Sequence, residues 1–323
     1  MLNQLPLTFH LSFCRDKIPG KGEDSFCYSF CDSAGMIAVF DGCGGAGART
    51  HDYYSGKTEA YMASRLCAGA FYDLFRTHFP EQTDMASFVR DVLQPATVEQ
   101  LIRFQPPKIP GAIQIRGSMV RTLPTTAAAA FVQAQPDGSV KVGAAWAGDS
   151  RVYILDAKGL AQLTVDDATV TDPMLNIYED GILKNIFSSD RPMRLNYHEV
   201  VVQPPFMVLS ATDGCYGYVT TPMEFEWLLL RTLLSSESVA QWEQTLGDAI
   251  GSFAGDDHAL CLAAFGYDGF DELKSSLQAR GTDLWKQYIQ PVRDLPPDER
   301  EPRFALWERY KLDYLRYQKD GQS

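Results

Sequence analysis

The sequence predicts an α+β fold, with antiparallel sheets carrying helices on their outer faces. Strand-like stretches come in runs: residues 7–13, 24–30 and 35–40, then 127–133, 139–147 and 151–155, then 198–203 and 206–211. Helical periodicity comes in separate runs, over 58–104 and 225–253, instead of one helix between each pair of strands. That grouping argues against a repeated strand–helix–strand unit. The turn Pro136-Asp137-Gly138 joins two of the strands directly.

Residues 7–13 alternate apolar and polar side chains, as a half-buried strand does. Gly20-Lys21-Gly22 forms a loop before the strand at 24–30. Residues 35–40 are so uniformly apolar that both faces are expected to be buried, with Asp41 at the strand's end in a glycine-rich turn. Between 58 and 79, Tyr61, Leu66, Ala70, Phe71, Leu74 and Phe75 recur at helical spacing. Two further helices are predicted over 85–93 and 97–104, and the proline- and glycine-rich stretch 106–124 is predicted to loop before Thr125-Thr126. Residues 165–194 show little periodicity and read as a long surface segment, a kind of loop that is usually functional. Helices over 225–234 and 239–253 and a last apolar strand over 259–265 follow.

Composition narrows the class. A net charge of −12 and a pI near 4.9 argue against nucleic acid and against anionic membrane surfaces as partners, since both require a surplus of lysine and arginine. No stretch approaches the ~20 apolar residues that span a bilayer, and the opening residues lack a cleavable leader's pattern, so a cytoplasmic location is expected. The seven cysteines lack paired spacing and indicate neither a zinc site nor a disulfide framework. The five histidines are not spaced as metal ligands, Ser210 lacks a nucleophile-elbow context, and residues 41–47 lack the Lys-Ser/Thr end of a nucleotide-binding loop.

Acidic residues instead recur at strand ends beside glycine. They are Asp41-Gly42, Asp149 in Ala147-Gly148-Asp149-Ser150-Arg151, Asp213-Gly214, and Asp256-Asp257 before the last strand, while Glu23-Asp24 begins a strand. One such acid is an ordinary turn residue. Five such places converging on one rim would make an oxygen-rich pocket suited to magnesium or manganese.

The order of these motifs resembles that of the metal-dependent protein phosphatases, the type 2C class. The matching residues are Glu23-Asp24, Asp41-Gly42-Cys43-Gly44-Gly45, Thr125-Thr126, Gly148-Asp149-Ser150-Arg151, Thr212-Asp213-Gly214 and Asp256-Asp257. The resemblance implies a four-layer α-β-β-α sandwich over residues 1–266 that hydrolyses phosphoserine or phosphothreonine. The catalytic residues would be Asp41, Asp213 and Asp256, acting through a metal-activated water. Two magnesium or manganese ions are implied: Asp41 would bridge them, the Gly42 carbonyl would bind one, and Asp213 and Asp256 would hold the other. Glu23 and Asp24 would act directly or through ordered water. Asp149 matches a position that helps to hold a third ion; alternatively it pairs with Arg151 or caps a turn. The partners implied are a phosphorylated protein and a cognate serine/threonine kinase.

Three departures bear on this expectation. Gly217 stands where the family often has a second acid, so a third ion would be weakly held. Pro19 stands where the family commonly places a phosphate-gripping arginine, leaving Lys21 or Arg15 as substitutes. Cys43 replaces the histidine of many eukaryotic relatives, which points to a bacterial-type member. Two other readings stay open: a catalytically weak homologue acting as a binding or regulatory module, and a phosphatase of a small phosphorylated metabolite.

Residues 267–323 form a predicted helical extension. Phe304, Trp307, Tyr310, Tyr314 and Tyr317 make an aromatic stripe on one helix face, and Pro291, Pro296, Pro297 and Pro302 flank a predicted linker. The stripe either packs on the main domain or takes a protein partner.

Overall fold

Residues 4–79, 84–107, 120–179, 181–296 and 299–318 are described by the computed structural model. Part of the predicted loop at 106–124, one position of the long segment 165–194, and Pro297 lie outside the described residues. Among the described residues, ten strands form two antiparallel sheets. One sheet has the order β1 (Leu7–Arg15), β10 (His258–Phe265), β9 (Phe206–Ala211), β6 (Arg151–Asp156), β7 (Gly159–Gln162). The other has the order β2 (Ser25–Phe30), β3 (Ala34–Phe40), β4 (Ala127–Ala134), β5 (Val140–Ala147), β8 (Asn196–Val202).

The sheets pack face to face, and strand periodicity explains how. In β3, Ile37 and Val39 point inward to meet Val152, Ile154, Val208 and Cys261 of the opposite sheet. The intervening Met36, Ala38 and Phe40 point outward to a helical layer. A strand with an apolar layer on each face needs the unbroken apolar run that the sequence shows.

Short helix α1 (Gly44–Gly47) follows the first acidic motif. Helix α2 (Glu59–His78) starts at Thr58, whose hydroxyl accepts the Tyr61 N–H at 3.0 Å. Its residues Ala63, Cys67, Phe71 and Phe75, four apart, face the second sheet.

The two helices predicted over 85–93 and 97–104 are one continuous run. It comprises α3 (Met85–Phe88), a π-helical turn (Val89–Leu93) and α4 (Gln94–Arg103). Pro95 sits at the start of α4. A proline lacks an N–H and its ring collides with the carbonyl one turn earlier; a wider turn placed just before it removes the collision without ending the helix.

On the other face, α5 (Pro222–Ser235) and α6 (Val239–Gly251) cover the first sheet together with the extension. Among the described residues the predicted linker is a short break between Arg293 and Arg300, and Pro291 requires correction because it lies inside a helix. Helix α7 (Phe270–Leu284), a second π turn (Trp285–Ile289) and α8 (Gln290–Arg293) run on through Pro291, repeating the device at Pro95.

Helix α9 (Arg300–Tyr314) buries Trp307, Tyr310 and Tyr314 of the aromatic stripe in the same apolar cluster as Tyr153, Leu209 and Leu262 of the first sheet. The stripe is thus covered by the chain itself. No helix among the described residues is long and apolar enough to cross a membrane.

Candidate metal and phosphate site

Strand register brings the acidic motifs to one end of the sandwich. Ser25 pairs with Phe40, Val39 with Ala128, and Ala127 with Ala147, so Glu23-Asp24, Asp41, Thr125-Thr126 and Asp149 leave the second sheet at the same edge. In the first sheet Arg151 and Leu260 both pair with Ala211, which puts Asp213 and Asp256-Asp257 beside Asp149. Glu23, Asp41, Gly42, Asp149, Asp213, Asp256 and Asp257 all line one cavity of about 630 Å³.

Neighbouring motifs hold the acids in place. The Asp41 carbonyl accepts the Thr126 N–H at 2.8 Å and the Thr125 hydroxyl at 2.7 Å, and the Thr126 hydroxyl meets that of Ser150 at 2.7 Å. The Thr58 hydroxyl donates to Glu23 Oε1. Asp257 accepts the backbone N–H groups of Lys17 and Glu23 at 2.7 and 2.8 Å, pinning the loop that carries Glu23.

Asp24 does not reach the cavity. It is buried and accepts the Thr212 hydroxyl at 2.8 Å, because successive residues of an extended chain point to opposite sides. Gly42 has a steric reason of its own: a Cβ there would lie 2.7 Å from the Ala60 carbonyl oxygen and 2.8 Å from that of Glu23.

Arg151 does not pair with Asp149. It forks onto buried Asp166, with Nε to Oδ1 at 2.9 Å and Nη2 to Oδ2 at 2.7 Å. Its guanidinium also lies 4.2 Å from the Tyr216 ring centroid, and the Tyr216 hydroxyl donates to the Asp149 carbonyl. Asp149 Oδ1 is buried without a hydrogen-bond partner, an acceptor that a cation or water would satisfy.

Neither substitute for the missing arginine lines the cavity. Arg15 is ion-paired with Asp248 on α6 and reaches the Gln244 carbonyl at 3.3 Å, and Lys21 lies on an exposed loop. The cations among the lining residues are Arg121, Lys184 and Arg191. No motif around them marked them in the sequence, because two belong to the aperiodic segment 165–194. Cys43 also lines the cavity, and burial pushes its thiol well up, so it stays protonated.

The acids raise one another's proton affinity. Burial first, then the charges of Asp213, Asp24, Asp149 and Asp256, pushes the Asp41 carboxyl well above the usual range. Asp149 is raised to about 8 by burial and by Asp213 and Asp166, and Asp213 to about 6 by burial and by Asp256. Even so, among the described residues no three His, Cys, Asp or Glu side chains gather into a ligand cluster. The acids share one cavity without closing into a cage. Their all-oxygen donor set and the orphaned Asp149 oxygen fit hard divalent cations.

The stability of the protein in chelator should therefore depend on pH. A carboxyl whose pKa is higher folded than unfolded contributes stability that is full below about pH 4 and is lost as pH rises through its folded value. Melting temperature in chelator is expected to fall between about pH 4 and pH 8, from the ordinary carboxylate value up to the raised values of Asp213 and then Asp149. A loss of about 2 kcal/mol would show as roughly 3 °C. Manganese should restore most at the alkaline end, and a flat profile in thermal melts would contradict the coupling.

No protein-family model matches the sequence, and no curated protein matches it. Solved structures do match. A bacterial serine phosphatase superposes with a TM-score of 0.59 at 16% identity, covering 81% of this chain and 99% of that one. The serine/threonine phosphatase Stp1 from Staphylococcus aureus gives 0.58 at 14% identity, over 82% and 98%. The catalytic domain of the serine/threonine phosphatase PstP, in complex with two manganese ions, gives 0.54 at 16% identity, over 80% and 98%. The two face-to-face sheets, their outer helices and these superpositions together identify the architecture of this chain as that of the metal-dependent (PPM, type 2C) serine/threonine phosphatases.

Proposed function

We propose that this protein is a metal-dependent phosphatase of phosphoserine and phosphothreonine in proteins. One observation carries the reading: acids from five remote parts of the chain, Glu23, Asp41, Asp149, Asp213 and Asp256, line a single cavity in a phosphatase fold. Asp41, the Gly42 carbonyl, Asp213 and Asp256 would hold two magnesium or manganese ions, with Glu23 acting directly or through water and Asp24, which stays outside the cavity, bracing Thr212 beside Asp213. Asp149 would contribute to a weak third site, weak because Gly217 offers no second acid. When bound, the ions supply charge neutralisation and lower the pKa of water near phosphorus.

The chain's own residues orient and exclude. Thr125, Thr126 and Ser150 fix the Asp41 backbone, so that its carboxylate enters the cavity at one angle. A phosphate dianion cannot rest among acids unless cations offset them. The positive side of the cavity is Lys184 with Arg121 and Arg191, and these take the role first assigned to Lys21 or Arg15. The protonated Cys43 thiol supplies no nucleophile, in keeping with direct hydrolysis. The substrate would come from a serine/threonine kinase working in the opposite direction.

Purified protein is expected to hydrolyse an aryl phosphate with manganese and to stop on addition of a chelator. It should prefer phosphoserine and phosphothreonine peptides to phosphorylated metabolites by at least about tenfold in kcat/KM. A metabolite preference would redirect the substrate assignment, and turnover in chelator would reject the mechanism. Pro19 and Gly217, which replace the phosphate-gripping arginine and the second acid that the resemblance implies, favour one second reading, a binding module in this fold. Manganese binding without any turnover would establish that reading instead.

A further inference from the structure

The segment between β7 and β8 has two parts with different attachments. Its return arm carries Ile182, Lys184 and Asn185 into the lining of the acidic cavity. That arm is paired to residues 167–169, through Lys184 N–H to the Asp167 carbonyl at 2.7 Å and Thr169 N–H to the Ile182 carbonyl at 3.0 Å.

Its outer turn, residues 172–178, is gripped from α9. Lys311 Nζ meets Asp172 Oδ2 at 2.6 Å, and Trp307 Nε1 donates to the same oxygen at 3.4 Å. The Phe304 and Tyr178 rings lie 5.8 Å apart, and the Arg300 guanidinium sits 4.6 Å from the Tyr178 ring centroid. Asp172 Oδ1 meanwhile accepts the Met174 and Leu175 N–H groups at 2.9 and 3.2 Å, so one carboxylate both shapes the turn and ties it to the helix. From the turn, Asn176 donates to Asp166 Oδ2 at 2.6 Å, the carboxylate that also holds Arg151 next to the Asp149 motif.

The two ends of this connection differ in firmness. Helix α9 is fixed from beneath, because its buried Tyr310 hydroxyl donates to Glu226 on α5, which Arg280 on α7 also clasps. The ties to the turn lie nearer the surface, with Lys311 and Asp172 side chains 30% and 20% exposed. Met174 anchors the turn in the apolar cluster beneath it, while the residues on either side take their position from such ties, so loosening these frees the turn locally without unfolding the domain.

We infer that α9 sets the position of the cavity wall formed by the segment between β7 and β8, with Lys311 and Phe304 as positioning residues for a phosphorylated peptide. The substrate part of this inference rests on the phosphatase reading above.

The test uses the full chain with Lys311→Met, Phe304→Ala and the conservative Lys311→Arg. In the folded proteins without substrate, Lys311→Met and Phe304→Ala are expected to speed amide exchange at Leu175 and Ile182 by about fivefold. With manganese, they should raise KM for a phosphothreonine peptide by about three- to tenfold while kcat stays within about twofold, and Lys311→Arg should restore both readouts. Unchanged exchange in both variants would overturn the role of α9. Faster exchange with an unchanged KM, or kcat falling in place of KM, would overturn substrate positioning. A wild-type protein inert towards every phosphopeptide would instead sink the phosphatase reading and the substrate part with it, while the exchange data would still decide whether α9 holds the turn.

Discussion

Asp41→Asn is expected to lower manganese-dependent turnover of an aryl phosphate by at least about 1,000-fold while raising the melting temperature of the chelated protein. Both effects have one cause. Asp41 is pressed by burial and by four neighbouring carboxylates, so its charge costs the folded chain stability when nothing offsets it. Amide for carboxylate keeps the shape and the backbone bonds to Thr125 and Thr126, and it removes one member of a repelling set. The same change withdraws an anionic oxygen donor from the place where divalent charge would be held, a loss of about 4 kcal/mol or more in transition-state stabilisation. Steady-state kinetics and melts in chelator, with and without manganese, read the two effects separately. A variant that loses activity and melts lower in chelator would point to a structural role for Asp41 in place of a functional one.

The second large effect is expected far from the cavity. Arg280→Ala should cost about 3–5 kcal/mol, seen as a melting temperature lower by roughly 4–7 °C. Glu226 on α5 is fully buried and is balanced by Arg280 Nε and Nη2 at 2.6 and 2.8 Å, with the Tyr310 hydroxyl completing its shell. Removing the guanidinium leaves a carboxylate in an apolar layer. Arg280→Ala combined with Glu226→Gln should recover part of the loss, because the amide carries no charge to strand. A single variant as stable as wild type in denaturant unfolding would show that the tie contributes little. The triad joins α5, α7 and α9, so the apolar side chains of residues 267–315 share one cluster with the first sheet. Deleting residues 270–323 is accordingly expected to give aggregation, since Leu273, Leu277, Leu284, Trp307, Tyr310 and Tyr314 would leave their partners bare.

Local patterns made much of this readable in advance. Strand β3 could be recognised because a strand with apolar layers on both faces has no polar alternation, and the acids could be recognised because each stands beside glycine at a strand end. The Pro95 and Pro291 helices were not readable, since proline is a stop signal unless a π turn precedes it, and a π turn has no sequence mark of its own. Strand β7 is four residues long, too short for alternation to register.

The sequence by itself determined the layers and the set of acids, because strand period, helix period and turn chemistry are properties of neighbours along the chain. Tertiary structure alone decided that Glu23 enters the cavity while Asp24 turns to Thr212, that Arg151 takes Asp166 in place of Asp149, and that the positive side is built from Lys184, Arg121 and Arg191. It also decided that the aromatic stripe of α9 serves the protein's own core. Those outcomes depend on which remote groups come within a few ångströms of one another, and the energy of a buried charge is set by that company, whatever its place in the chain.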